Sequence, residues 1–172
     1  GNGLGASDYG LPRFADATFK ARFPFASVSL GEPEIPVRVE LTGWSPFIPG
    51  NADDSSLPFA ALEYTFTNDA PAPVEAVFSF HCSNFLSTGA GAAATVRVDD
   101  GFMHSQSGDE TAPWTDACLA ITTDTPGLSV DCAWYRGGWF DAATMLWKNI
   151  AAGEPVENPP VAGGRHSPGG SL

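Results

Sequence analysis

From Ala17 to Phe85 the chain repeats one pattern, short runs in which apolar and polar residues alternate, each ended by proline, glycine or asparagine. Alternation with period two puts successive side chains on opposite faces of an extended backbone, so each run reads as a half-buried strand. Phe19, Ala21 and Phe23 alternate with Thr18, Lys20 and Arg22, and Phe25–Leu30 follows after Pro24, which interrupts the ladder. Val37, Val39 and Leu41 alternate with Arg38, Glu40 and Thr42. In Phe59–Asn68, Leu62, Tyr64 and Phe66 oppose Glu63, Thr65 and Thr67. Val74–Phe85 resumes as a strand rich in Val and Phe, and Asn68-Asp69-Ala70-Pro71 supplies the turn for a hairpin with the run before it. No helical spacing separates these runs, which excludes a parallel α/β sheet. The expected fold is all-β, an antiparallel two-sheet β-sandwich.

The second half is less regular. Ala117–Thr123 and Leu128–Trp134 read as another hairpin across Asp124-Thr125-Pro126-Gly127. Between the hairpins, Leu86–Ala112 is expected to be a long irregular excursion with at most a short strand at Thr95–Asp99. Trp44–Gly50 ends regular pairing with two prolines and a glycine, and Asn51–Ser56 reads as a polar loop. Asp141–Ala151 alone has helical spacing, with Met145, Leu146 and Ile150 apolar and Asp141 placed as N-cap. The Gly-rich opening Gly1–Pro12 is a lead-in, and the Pro- and Gly-rich tail ends at Ser171-Leu172, which reads as the start of a further strand. The sandwich is therefore expected to stop before its last strands. A chain of 172 residues suits one domain, spanning 1–172.

Charge narrows the partners. Eight basic against twenty acidic residues give a net charge of −12, which repels phosphate backbones and anionic membranes and leaves a neutral ligand such as a sugar compatible. No run is long and apolar enough for a transmembrane segment. Cys82, Cys118 and Cys132 are odd in number and form no CxxC pair, so free buried thiols and a reducing, cytoplasmic setting are the favoured reading.

Three groups of residues invite a chemical role. The oxygens of Asn51, Asp53, Asp54, Ser55 and Ser56 could gather round a hard cation, though polar turns of this kind are usually solvated. His81, Cys82, His104, Cys118 and Cys132 are the residue types of a zinc site or a Cys–His nucleophile. Adjacent residues of one strand face opposite ways, so His81 and Cys82 are not expected to serve one site. Glu63 and Glu75 occupy solvent-facing positions, and no motif sets an acid beside a nucleophile. No catalytic, cofactor-binding or metal residue is assigned, and no cofactor is expected. The aromatic clusters Trp44–Pro49 and Trp134–Phe140 suit a core or a domain interface better than a sugar subsite.

Three stretches, in this order, are Arg22-Phe23-Pro24-Phe25-Ala26, then Leu41-Thr42-Gly43-Trp44-Ser45-Pro46-Phe47-Ile48-Pro49, then Ser55-Ser56-Leu57-Pro58 leading to Glu63-Tyr64-Thr65-Phe66-Thr67-Asn68. They resemble the N-terminal domain of family 116 glycoside hydrolases, the β-glucosidase and glucosylceramidase group. Trp134–Pro160, with its Glu157-Asn158-Pro159-Pro160 exit, is similar to the bacterial members. The resemblance is good over Phe14–Phe85, moderate over Asp131–Leu172 and poor over Leu86–Ala117. It implies a retaining β-glucosidase whose nucleophile and acid/base lie in a C-terminal catalytic α/α barrel that this chain does not contain. No family catalytic residue falls on a position here. The implied role is a non-catalytic β-sandwich that packs against and supports that barrel, its partner in the same polypeptide. The β-glucoside or glycolipid substrate is met through the barrel, and this chain alone is expected to be inactive. Trp44–Pro49 and the Trp139 region would then shape one wall of the substrate cleft. The alternative is a free-standing carbohydrate-binding or adhesion-type β-sandwich.

Overall fold

The computed structural model describes residues 11–87, 92–134, 142–161 and 169–172. The fold is all-β, of the sandwich-like kind, with antiparallel sheets and one helix of more than a single turn. Its residues divide into two compact units, one formed by Pro12–Ala76 and the other chiefly by Val77–Leu172.

The first unit is a four-stranded antiparallel sheet in sequential order, β1 (Asp16–Arg22), β2 (Phe25–Gly31), β3 (Val37–Trp44) and β4 (Ala61–Asn68). Pro24 does not break a ladder. It sits in the turn of a tight hairpin in which Arg22 faces Phe25. The register sets Phe19 against Val28, Val28 against Leu41 and Leu41 against Tyr64, and in parallel rows Leu30 against Val39 and Val39 against Phe66. One face is thus apolar, while Lys20, Ser27, Thr42 and Glu63 line the other. After β4 the chain does not continue into a hairpin. Asn68 takes the Ala70 N–H on its side-chain oxygen (2.9 Å), and the Asp69 N–H returns to the Pro36 carbonyl at 2.8 Å. A bidentate pair between Arg38 and Asp69 (2.5 and 3.0 Å) holds that turn against β3, and the guanidinium keeps the Asp69 carboxyl below its ordinary range. The Asn51–Ser56 segment is not a plain loop but carries the single-turn helix α1 (Ala52–Ser55).

The second unit holds a three-stranded sheet, β6 (Ala93–Val98), β7 (Gly101–Gln106) and β8 (Ala117–Thr122), and a two-stranded one, β5 (His81–Ser83) with β9 (Gly169–Ser171). Here three expectations are corrected. Leu86–Ala112 is no irregular excursion, because apart from residues 88–91, which lie outside the described set, it supplies β6 and the central strand β7. Val74–Phe85 contributes only His81–Ser83 as a strand, and its partner is β9 rather than β4. Leu128–Trp134 does not pair with Ala117–Thr123. It runs beside β9 through one bridge, Asp131 to Ser171, while β8 pairs with β7. The tail beginning at Gly169 is therefore already a strand, extended by reciprocal bonds between Phe80 and Leu172 (3.1 and 3.0 Å).

The core of this unit is Phe102 on β7 with Val130 and Cys132, ringed by Cys82, Ile121, Leu128 and Leu172. Helix α2 (Ala142–Ala152) matches its expected span, and its proposed cap Asp141 lies outside the described residues. It ends as its sequence dictates. Gly153 adopts φ +67° and donates to the Ile150 carbonyl, and Glu154 donates to that of Asn149. This Schellman closure requires glycine and fixes where Glu154 stands.

Candidate functional site

Two features of the described residues offer something to a partner. The first is the exposed apolar surface of the four-stranded sheet. Central positions such as Val39 are covered by their neighbours, but Phe19, Leu62 and Phe66 on the same face are 66%, 51% and 48% exposed. At the end of the sheet, where Arg22 meets Phe25, an aromatic group collects from loops and strand ends. Phe23 meets Phe47 edge to face at 4.7 Å, and Trp44 meets Phe59 edge to face at 5.9 Å. Phe23, Phe47, Leu57 and Phe59 are all exposed there. The Trp44–Pro49 segment thus forms an open aromatic rim rather than core. Trp139 and the rest of 135–140 lie outside the described residues.

The second is a cleft of about 440 Å³ within the unit Val77–Leu172. Its walls are Val77, Phe78, Leu128, Leu146, Ile150 and Leu172, and its polar groups include His81, Asp131, Asn149, Glu154 and Ser171. Leu146, Asn149 and Ile150 reach it from one face of α2, as their spacing of three and four requires. Asp131 is buried, at 5% exposure. Its Oδ1 accepts the Ala133 N–H at 2.9 Å and the Asn158 side-chain amide at 3.1 Å. None of the cleft's carboxylates stood out in the sequence, because Asp131 and Glu154 are brought together only by long-range pairing and by the turn after α2.

His81 borders the cleft with both nitrogens engaged, Nδ1 by Ser171 Oγ at 2.7 Å and Nε2 by Ser79 Oγ at 2.9 Å. Ser171 Oγ also accepts the Trp134 indole N–H at 2.7 Å, so both ring nitrogens are held by hydroxyls that can donate or accept. Burial pushes the His81 pKa down, against a smaller upward pull from Asp131. His104 is fully buried, and both of its nitrogens are engaged as well. The Cys82 carbonyl can only accept, so Nε2–H donates to it at 3.0 Å, and Nδ1 accepts from Thr95 Oγ1 at 2.8 Å. Burial lowers its pKa too.

These two imidazoles make stability depend on pH in one direction. The unfolded histidines bind protons from about pH 6.5 downward, whereas the folded ones resist protonation to lower pH. Between the two values the unfolded state holds more protons, so stability falls as pH falls. Urea midpoints are expected to be level above about pH 7 and to drop steadily below about pH 6.5. A midpoint unchanged between those conditions and pH 5.5 would contradict neutral, buried histidines.

The other expected groups are dispersed. His81 turns to Ser79 and Ser171 while Cys82 packs toward the core, the opposite facing their adjacency requires. Cys118 is exposed, contrary to expectation, Cys82 is half-buried and Cys132 buried, and all three are free thiols. Burial raises the thiol pKa of Cys82 and Cys132. The oxygens of 51–56 serve the helix instead of a cation. Asn51 caps Asp54 N–H at 3.1 Å, and Ser55 Oγ accepts the Ile48 N–H at 2.9 Å. Among the described residues no group of three His, Cys, Asp or Glu converges on a metal position. No described helix is long and apolar enough to cross a membrane. Glu63 and Glu75 are both exposed, as their positions predicted.

Residues 2–166 match the family described as beta-glucosidase 2, glycosyl-hydrolase family 116 N-term. No curated protein and no solved structure matches the chain.

Proposed function

The chain belongs to the N-terminal domain family of family 116 glycosyl hydrolases, and from that membership we propose that it is the non-catalytic β-domain that packs against and supports the catalytic barrel of a β-glucosidase or glucosylceramidase. The observation that carries this reading is the apolar face of β1–β4, which leaves Phe19, Leu62 and Phe66 half to two-thirds exposed. Antiparallel sheets normally keep one face in water and bury the apolar one. Full burial of a Phe or Leu side chain is worth roughly 1.5–3 kcal/mol, so covering these three would contribute about 3–5 kcal/mol to a domain contact. The exposed aromatic rim at Phe23, Phe47 and Phe59 extends the same surface and has the composition of an interface centre. The substrate, a β-glucoside or glycolipid, is met by the catalytic domain.

Charged substitutions on that face separate a contact surface from an ordinary sheet surface. Phe19→Asp with Phe66→Asp is expected to change the urea midpoint of this chain alone only slightly. In a protein carrying both domains it should uncouple their melting and shorten the half-life of β-glucosidase activity about tenfold or more. Unaltered melting and activity in the two-domain protein would remove the sheet face from the interface.

A further inference from the structure

We propose that the cleft in the unit Val77–Leu172 is a binding site for a small organic cation, an amidinium, guanidinium or ammonium group on an apolar arm, with the Asp131 carboxylate as its anchor. The assignment is independent of the domain-packing role. It begins with how Asp131 is held. Ala133 and Asn158 occupy Oδ1, and among the described residues nothing bonds to Oδ2, although the residue is 95% withdrawn from solvent. That oxygen is open to the cleft, and a carboxylate so far withdrawn from bulk water gains from a cation or further donors that reach it there.

The described lining does not supply that cation. Among the described residues no Lys or Arg lines the cleft, and burial between Ser79 and Ser171 disfavours the charged form of His81, the titratable group beside Asp131. Glu154 adds a second carboxylate to the lining, placed by the closure after α2. Two carboxylates, with no counter-charge among the described lining residues, disfavour anions and favour a positive ligand. The walls define the rest of that ligand, because Val77, Phe78, Leu128, Leu146, Ile150 and Leu172 offer an apolar lining and no further charge. A volume of about 440 Å³ lies in the range of small-molecule sites. A sugar fits less well. Among the described lining residues Phe78 is the one Phe, Tyr or Trp, since Trp134 is turned edge-on to His81, and hydroxyls would leave the charge of Asp131 uncompensated.

Benzamidine, a flat apolar ring bearing one amidinium, is the probe, titrated into the chain by calorimetry and by amide shifts of residues around the cleft. Saturable binding is expected, with no binding of benzyl alcohol, which keeps the arm and lacks the charge. Asp131→Asn should weaken benzamidine about tenfold or more, and Glu154→Gln less, since Glu154 is exposed. Should Asp131→Asn fail to fold, Leu146→Trp fills the cleft from α2 and should abolish binding while leaving both carboxylates. Acetylated argininamide tests the source of the cation. Binding weaker than benzamidine fits a free ligand, whereas tighter binding would mark the cleft as a seat for a partner's arginine and overturn the small-molecule assignment. The proposal also fails if benzamidine does not bind, if Asp131→Asn leaves its affinity intact, or if methyl β-glucoside occupies the cleft instead.

Discussion

His104→Ala is expected to remove about 3–5 kcal/mol of stability, enough to unfold much of the population of a domain whose whole margin is of that order. The imidazole is fully buried and ties three elements together. It stands on the central strand β7, accepts from Thr95 on β6, and donates to the Cys82 carbonyl on β5, so one side chain links the three-stranded sheet to the two-stranded one. Its ring also lies tilted against Phe102, centroids 5.0 Å apart, at the core. Alanine would leave a void beside Phe102 and orphan both a carbonyl and a hydroxyl. His104→Phe separates the two losses. It restores the volume but leaves the Thr95 hydroxyl and the Cys82 carbonyl without their bonds to the ring, at about 1–3 kcal/mol. Urea denaturation followed by far-UV circular dichroism distinguishes the variants. A wild-type midpoint for His104→Ala would show that the contacts of His104 do not hold the sheets together.

The same residue explains where the sequence misled. Strands β1 to β4 were legible because the positions on one face are Phe, Val, Leu and Tyr, and alternation of apolar with polar is what the eye detects. In β7 the inward positions are Phe102, His104 and Gln106. Two of the three are polar, so the segment reads as a solvated loop although four of its six residues are buried. The histidine can be inside because Thr95 and Cys82 satisfy both nitrogens, and those partners lie 9 and 22 residues away. Pairing at long range was the other hidden quantity. A turn at Asn68–Pro71 suggested a local hairpin, yet Arg38 and Asp69 turn those residues back onto β3, and β5 waits for a partner 90 residues on. Nothing local marks Gly169–Ser171 as a strand, and the cleft it helps to wall was invisible for that reason.

Gly169→Ala is the second substitution expected to be severe, and its cause is backbone contact rather than backbone conformation. A Cβ at Gly169 would run into the Cys82 carbonyl oxygen and come within 2.9 Å of Ser83 Cα and 2.8 Å of the Trp134 ring. The carbonyl and the Cα belong to β5, the partner strand, and cannot swing aside. β9 must therefore lift away, taking with it the Ser171 bonds to His81, Trp134 and Asp131. A loss of about 2–4 kcal/mol is expected, together with any benzamidine binding, because Ser171 and Leu172 line the cleft. Gly170→Ala provides the contrast. Its Cβ would meet Phe102 ring atoms at 2.7–2.9 Å, and that obstacle is a side chain that can be shortened. Adding Phe102→Leu to Gly170→Ala should recover part of the cost of the glycine change, a favourable coupling of about 1 kcal/mol. The same Phe102→Leu added to Gly169→Ala should show no such coupling, since the obstruction there is main chain. Equal coupling in both cycles would mean that β9 is not seated on β5 and Phe102 as described, and a wild-type melting curve for Gly169→Ala would say the same of β9 directly.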